Sequence, residues 1–262
     1  VYYFKKFESG AKHFSDEETN KKIRWFYYSQ IRNRYISQLP QKLTKDSKIA
    51  WESDNPFDEL LLLIEEERSL KITENEFEGR NVSHPLFKLF LFYFKSKNAV
   101  CLTTNVPIHQ TMGKMYQLER DHIFPYSVLK KLGYGMGEQN YRLAQEFTNR
   151  ALLTKIANRD KSAKSAENYL SSIDNKTLSL QSIPIEPNLW KIENFQDFLV
   201  ERRRILTKQL NEFLDSFSKT EKTTSAISIE TLIDKGESDQ LEFKSTFRWS
   251  LDKHQTDKVL EG

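Results

Sequence analysis

Hydrophobic positions along this chain repeat with two different periods. From residue 1 to about 110 the period is helical. In FSDEETNKKIRWFYYSQIRNRYIS, Ile23, Tyr27 and Ile31 recur every four residues with Tyr28 and Tyr35 beside them, and Ser15 with Glu18 makes a capping-box pattern at the start. In NPFDELLLLIEEERS, Asn55 and Pro56 suit an N-cap and a first turn, while Leu60, Leu61 and Ile64 supply a buried face. SHPLFKLFLFYFKSK is apolar nearly all round and predicts a central helix. The aromatic residues, 13% of the chain, concentrate here, which reads as a packed helical core rather than a base-stacking surface.

Residues 114 to about 170 change character, with strand-like and turn-like pieces. LGYGMGEQN carries Gly133, Gly135 and Gly137, but no Gly-Lys-Ser/Thr follows and no strong strand precedes. It reads as a flexible insertion, not a phosphate cradle. A further helix is expected from Asn194 to Phe217, with Phe195, Phe198, Leu199, Ile205, Leu206, Leu210, Phe213 and Phe217 as its apolar stripe. ERRR (Glu201 to Arg204) interrupts that stripe and is expected to be a solvated face with snorkelling stems. SKTEKTTSA reads as a polar linker, and LEFKSTFRW alternates as an amphipathic strand. The expected class is α+β, mostly helical. The expected segments are a helical domain over 1–113, a mixed core over 114–170, a helical segment over 171–217 packing on that core, and a linker with the start of another domain over 218–262.

The length, 262 residues, suffices for one large domain or two small ones. Lys plus Arg number 40 and Asp plus Glu 37, so the net charge of +3 does not itself point to nucleic acid. The distribution does. Residues 114–165 hold ten Lys or Arg against five Asp or Glu, a local +5, leaving the remainder near −2. The single cysteine, Cys101, excludes disulfides and CxxC zinc staples within the chain and suits a reducing cytoplasm. No apolar run reaches the ~20 residues of a membrane span. The chain opens on VYYFKK without Met and closes on VLEG, and the expectation is an excerpt of a longer protein.

Candidate chemistry gathers in two stretches. LERDHIFPYS places Asp121 beside His122 and turns at Pro125, and FTNRALLTKIANRDKSAKS carries Asn149, Arg150, Asn158, Arg159, Lys161 and Lys164. A strand ending in Asp-His, a second strand introduced by Asn and a helix opening with Asn would bring these side chains to one point. Phosphodiester hydrolysis needs such a set. An imidazole of ordinary pKa, about 6.5, can deprotonate water near neutral pH. A hard divalent ion can neutralise the attacked phosphate and the leaving 3′ oxygen, and it prefers oxygen ligands such as the Asp121 carboxylate and the Asn158 amide. Arg150, Arg159 and Lys161 could hold neighbouring phosphates, with Lys164 further along the approach. His13, His84, His109 and His254 lack partners at metal spacing, and Glu242-x-Lys244 lacks a matching upstream Asp.

DHIFPYS followed by NRALLTKIANRDKS resembles the His-Asn-His (HNH) nucleases of ββα-metal fold, including the nuclease domain of CRISPR effectors. The wider context from Val1 to about Phe217 resembles GmrSD-type restriction proteins, and GESDQLEFKSTFRW resembles the start of AlbA/Schlafen-like domains. The resemblance implies His122 as general base, Asp121 and Asn158 as ligands of Mg²⁺ or Mn²⁺, and Asn149 as the middle Asn that holds the loop and orients the histidine. It further implies DNA as partner, a role in restriction, and a ParB-like nucleotide-dependent domain preceding this chain. Two features depart from compact HNH cores. The gap from His122 to Asn149 is longer, and the third position is Asn158 rather than His, which favours Mg²⁺ or Mn²⁺ over zinc. The alternatives are a catalytically silent DNA-binding or scaffold protein of the same ancestry, and a ribonuclease or toxin nuclease.

Overall fold

A computed structural model describes residues 1–8, 10, 15–109, 113–218, 249–250 and 255–256. The N-terminal part is helical: α1 (Tyr2–Glu8), α2 (Asp16–Ile31), α3 (Leu39–Glu52), α4 (Pro56–Glu67) and α5 (Pro85–Ser96). Helix α2 begins on the Ser15–Glu18 capping box, formed in both directions. Helix α4 begins on Pro56, but Asn55 makes no side-chain cap, so the fixed φ of proline alone sets that start. Helix α5 buries Leu86, Phe87, Leu89, Phe90, Tyr93 and Phe94, each worth about 1.5–3 kcal/mol of transfer. His84 is its N-cap, with Nδ1 accepting from the Leu86 amide at 3.3 Å.

Strand β1 (Leu118–His122) pairs antiparallel with β2 (Arg150–Thr154), and α8 (Lys155–Lys161) follows β2 directly from the N-cap Thr154. The register sets His122 opposite Arg150 and Asp121 opposite Ala151. Because side chains alternate across a strand, this hairpin divides two hydrophobic cores. Leu152 joins the aliphatic and aromatic core of α2, α4 and α5, while Ala151 and Leu153 join a second core with Ile123, Phe124 and Ala157. Phe147, in the turn before β2, inserts between Phe77, Phe87 and Phe90, with centroids 5.5–5.8 Å apart. The central helix is thereby packed directly on the turn that leads into the candidate site.

The long gap between His122 and Asn149 differs from the expected flexible insertion. It folds as α6 (Tyr126–Leu129), a π-type turn (Lys130–Tyr134) and α7 (Glu138–Ala144). Gly133 and Gly137 take φ of +93° and +74° at the bends, which side-chain-bearing residues rarely adopt. Tyr134 anchors the segment against Phe195, ring centroids 5.0 Å apart.

Beyond α8 come α9 (Ala166–Leu170), α10 (Asn175–Leu180) and α11 (Phe195–Ser216). Helix α11 spans both cores: Phe195, Phe198 and Leu199 enter the second, and Leu206, Leu210 and Leu214 the first. The expectation of a solvated ERRR face is corrected here. Arg202 is fully buried and Arg203 nearly so, and only Arg204 is exposed, paired with Glu201. Arg202 donates to the carbonyls of Thr148, Arg150, Gln181 and Ser182 at 2.6, 2.7, 2.9 and 3.1 Å. Arg203 forks onto the fully buried Glu146 carboxylate at 2.8 and 2.6 Å. The sequence pattern missed this because a charged run was assigned to water, whereas these guanidiniums satisfy carbonyls and a carboxylate that would otherwise be buried unpaired. Gln181 completes β2 by donating to the Leu152 carbonyl and accepting from the Leu152 amide, as a neighbouring strand would.

The residues so far form one compact unit within Val1–Lys219, and a second lies within Thr220–Gly262. Of the second, the described part is β3 (Trp249–Ser250) paired antiparallel with β4 (Gln255–Thr256). The polar linker after Ser218, the Leu241–Arg248 part of the expected strand, Glu242, Lys244, His13 and His254 lie outside the described residues. Among the described residues, no helix is long and apolar enough to cross a membrane.

Candidate functional site

The end of β1 delivers Asp121 and His122 to opposite sides of the hairpin. On the α8 side, Glu119 and Asp121 share the strand face, being two residues apart, and Asn158 and Lys161 share the helix face, being three apart. They pair in two rungs. Asn158 Nδ2 donates to Glu119 Oε2 at 2.6 Å, and Lys161 Nζ donates to Asp121 Oδ2 at 2.5 Å and to the His122 carbonyl at 2.7 Å. The Lys161 side chain is 1% exposed and its ammonium also lies 5.5 Å from the Tyr169 ring centre.

On the other side, His122 faces Arg150 and Gln145. His122 Nε2 is 3.3 Å from Gln145 Oε1, which also accepts from Arg150 Nη2 at 2.7 Å. Arg150 Nη1 donates to the Arg120 carbonyl at 3.1 Å. The Tyr126 ring stacks beside the imidazole, centroids 6.0 Å apart. Burial, then the positive charge of Arg150, push the His122 pKa down to about 4, with Asp121 opposing in part. This corrects the expected ordinary value. Burial likewise lowers Arg150, opposed by Asp121.

Asn149 lies behind the site, fully buried. Its Oδ1 accepts from the Phe124 amide at 2.9 Å, and its Nδ2 donates to the carbonyls of Phe124 and Ala144 at 3.2 and 3.1 Å. Its own carbonyl accepts from Ile123 at 2.8 Å. Both side-chain polar atoms of Asn149 serve backbone, so it holds the turn after His122.

Of the residues chosen from sequence, Asp121 and Lys161 meet on one side of the strand end, and His122 and Arg150 lie on the other, both contacting Gln145. Asn158 lies one rung along, hydrogen-bonded to Glu119 rather than to Asp121. Arg159 and Lys164 are exposed. Lys161 is not, so its expected contact with an open phosphate track is corrected: a buried ammonium bound to a carboxylate and a carbonyl does not reach a DNA backbone. Two residues were missed. Glu119 was legible from the period of two that puts it on the face of Asp121. Gln145 was not, because it ends a helix that reads as loop.

On the α8 side, Glu119 and Asp121 offer carboxylate oxygens of the kind a hard cation takes. Asn158 turns its amide nitrogen to Glu119, and the Asp121 carboxylate with the His122 carbonyl binds the Lys161 ammonium. Among the described residues, no group of three or more His, Cys, Asp or Glu side chains is placed to hold a metal ion. Comparison with family models, with curated proteins and with solved structures finds no match to this chain.

Proposed function

We propose that this protein is a divalent-metal-dependent endonuclease or nickase of the HNH kind, hydrolysing DNA phosphodiester bonds in restriction or antiviral defence. The observation that carries the reading is the hairpin ending in Asp121-His122, followed at once by a helix that turns Asn158 and Lys161 against the same strand. Strand β1, strand β2 and α8, with α6 and α7 between the two strands, support that reading.

His122 is neutral at pH 7 because burial and Arg150 hold its pKa near 4. It can therefore accept a proton from water without first losing one, although a base this weak has less driving force than one poised near neutrality. Asp121 and Asn158 would hold Mg²⁺ or Mn²⁺, which supplies neutralisation of the attacked phosphate and the leaving oxygen. Arg150 presents a guanidinium on the His122 side of the strand end, where it can take charge from a phosphate. Arg159 and Lys164, exposed on and just after α8, suit backbone contacts.

One observation favours a second reading, a catalytically silent DNA-binding protein of the same ancestry. Lys161 bonds the Asp121 carboxylate that a metal needs. Plasmid DNA incubated with Mg²⁺ separates the two. Cleavage that EDTA stops supports the nuclease, and binding without cleavage supports the silent form.

A further inference from the structure

From the hydrogen-bond sense around His122, we infer that Gln145 is a positioning residue that fixes the proton on His122 Nε2 and leaves Nδ1 as the basic atom. This inference rests on the nuclease reading for its purpose but not for its geometry. A guanidinium only donates, so the Gln145 atom 2.7 Å from Arg150 Nη2 must be the amide oxygen. That contact settles which way the amide is turned. An amide oxygen only accepts, so the imidazole nitrogen 3.3 Å from it must carry the hydrogen. A neutral imidazole has one N–H, so the lone pair is on Nδ1, which has no hydrogen-bond partner among the described residues. Arg150, Gln145 and His122 thus form a chain in which each group dictates the next.

The chain also gives the insertion a purpose. Gln145 is the C-cap of α7, and the preceding Ala144 carbonyl accepts from Asn149 Nδ2 at 3.1 Å. The amide that closes the turn after His122 therefore also pins the end of the helix that orients its ring. A loop of the same length without helical structure would leave the Gln145 side chain free to choose other partners, and the ring free to rotate about its χ angles. Fixing ring and tautomer together keeps the lone pair aimed at one place, the geometric requirement for a general base.

The test reads the tautomer directly. Protein carrying ¹⁵N-labelled histidine gives two-bond ¹H–¹⁵N correlations that distinguish a protonated from an unprotonated ring nitrogen, and the His122 signals are those missing from His122→Ala. At a pH where the ring is neutral, wild type should show Nε2 protonated and Nδ1 unprotonated at limiting shifts. Gln145→Ala should move both nitrogens toward an exchange average, and Gln145→Glu, which still accepts, should restore the limiting pattern. DNA cleavage by Gln145→Ala should fall roughly tenfold or more in kcat, within the ~10²–10⁴ a general base supplies, at unchanged affinity for DNA. Wild-type His122 protonated on Nδ1, or shifts unmoved by Gln145→Ala, would overturn the inference. Should His122→Ala cleave like wild type, the nuclease mechanism fails while the tautomer result still decides the role of Gln145.

Discussion

Arg202→Met offers the sharpest test of how the site is held. The methionine matches the stem of arginine but removes the guanidinium that binds four carbonyls, two of them, Thr148 and Arg150, flanking Asn149. A hydrogen bond to a charged group is worth about 1.5–3 kcal/mol net, so four bonds set a ceiling above ~6 kcal/mol. The desolvation of the buried cation, no longer incurred in the variant, offsets part of that, and each buried carbonyl left without a donor costs about 1–3 kcal/mol, so a net loss of about 3–4 kcal/mol is expected. Burial lowers the Arg202 pKa to about 9, so the charge is present at pH 7 and the charged estimate applies. Urea unfolding at pH 7 measures the effect. With a slope of about 2–3 kcal/mol per molar, the midpoint should fall by about 1–2 M. Arg204→Met, on the same helix but exposed, should leave the midpoint where it is. A fall for Arg202→Met of less than about 0.3 M at the same slope would refute the network as a stabilising element.

Three further outcomes follow from the same geometry. The His122 pKa is about 4 folded against 6.5 unfolded, so the unfolded chain takes up the proton first as pH falls. Stability from this group is complete above pH 6.5 and is lost between pH 6.5 and 4; urea midpoints across that window should decline less in His122→Ala than in wild type. Asn149→Ala leaves the Phe124 amide and carbonyl and the Ala144 carbonyl unpaired, which should cost about 1–3 kcal/mol in thermal or urea unfolding and slow cleavage without weakening DNA binding. Arg159→Ala and Lys164→Ala should each lower the salt slope of DNA binding by about one unit, whereas Lys161→Ala should leave that slope unchanged, because its ammonium faces Asp121 and not solvent. An equal effect at all three positions in a salt titration would show that the exposed and the buried cations are wrongly separated.

The helical part was legible where period and capping agreed. Ile31, Leu60, Leu61 and Ile64 face the core as their spacing demands, and Ser15 caps α2. The hairpin was legible as Asp-His and Asn at the boundaries of apolar runs. What escaped was polar and long-range. Arg202 and Arg203 read as solvated because sequence patterns place charges outside, yet they satisfy backbone and Glu146 from segments 50 or more residues away. Lys161 reads as a phosphate contact and Asn158 as a metal ligand, but the strand they meet carries Glu119 and Asp121, partners that only the pairing of β1 with α8 reveals. The insertion read as loop because three glycines obscured the short helices between them.

Cleavage of plasmid DNA with and without Mg²⁺, comparing wild type with His122→Ala, tests the central claim most directly. The account predicts cleavage by wild type that EDTA abolishes, and a loss of about 10²-fold or more in His122→Ala with DNA affinity retained. Cleavage by His122→Ala at the wild-type rate, or no metal-dependent cleavage by a wild-type protein that binds the same DNA, would contradict it.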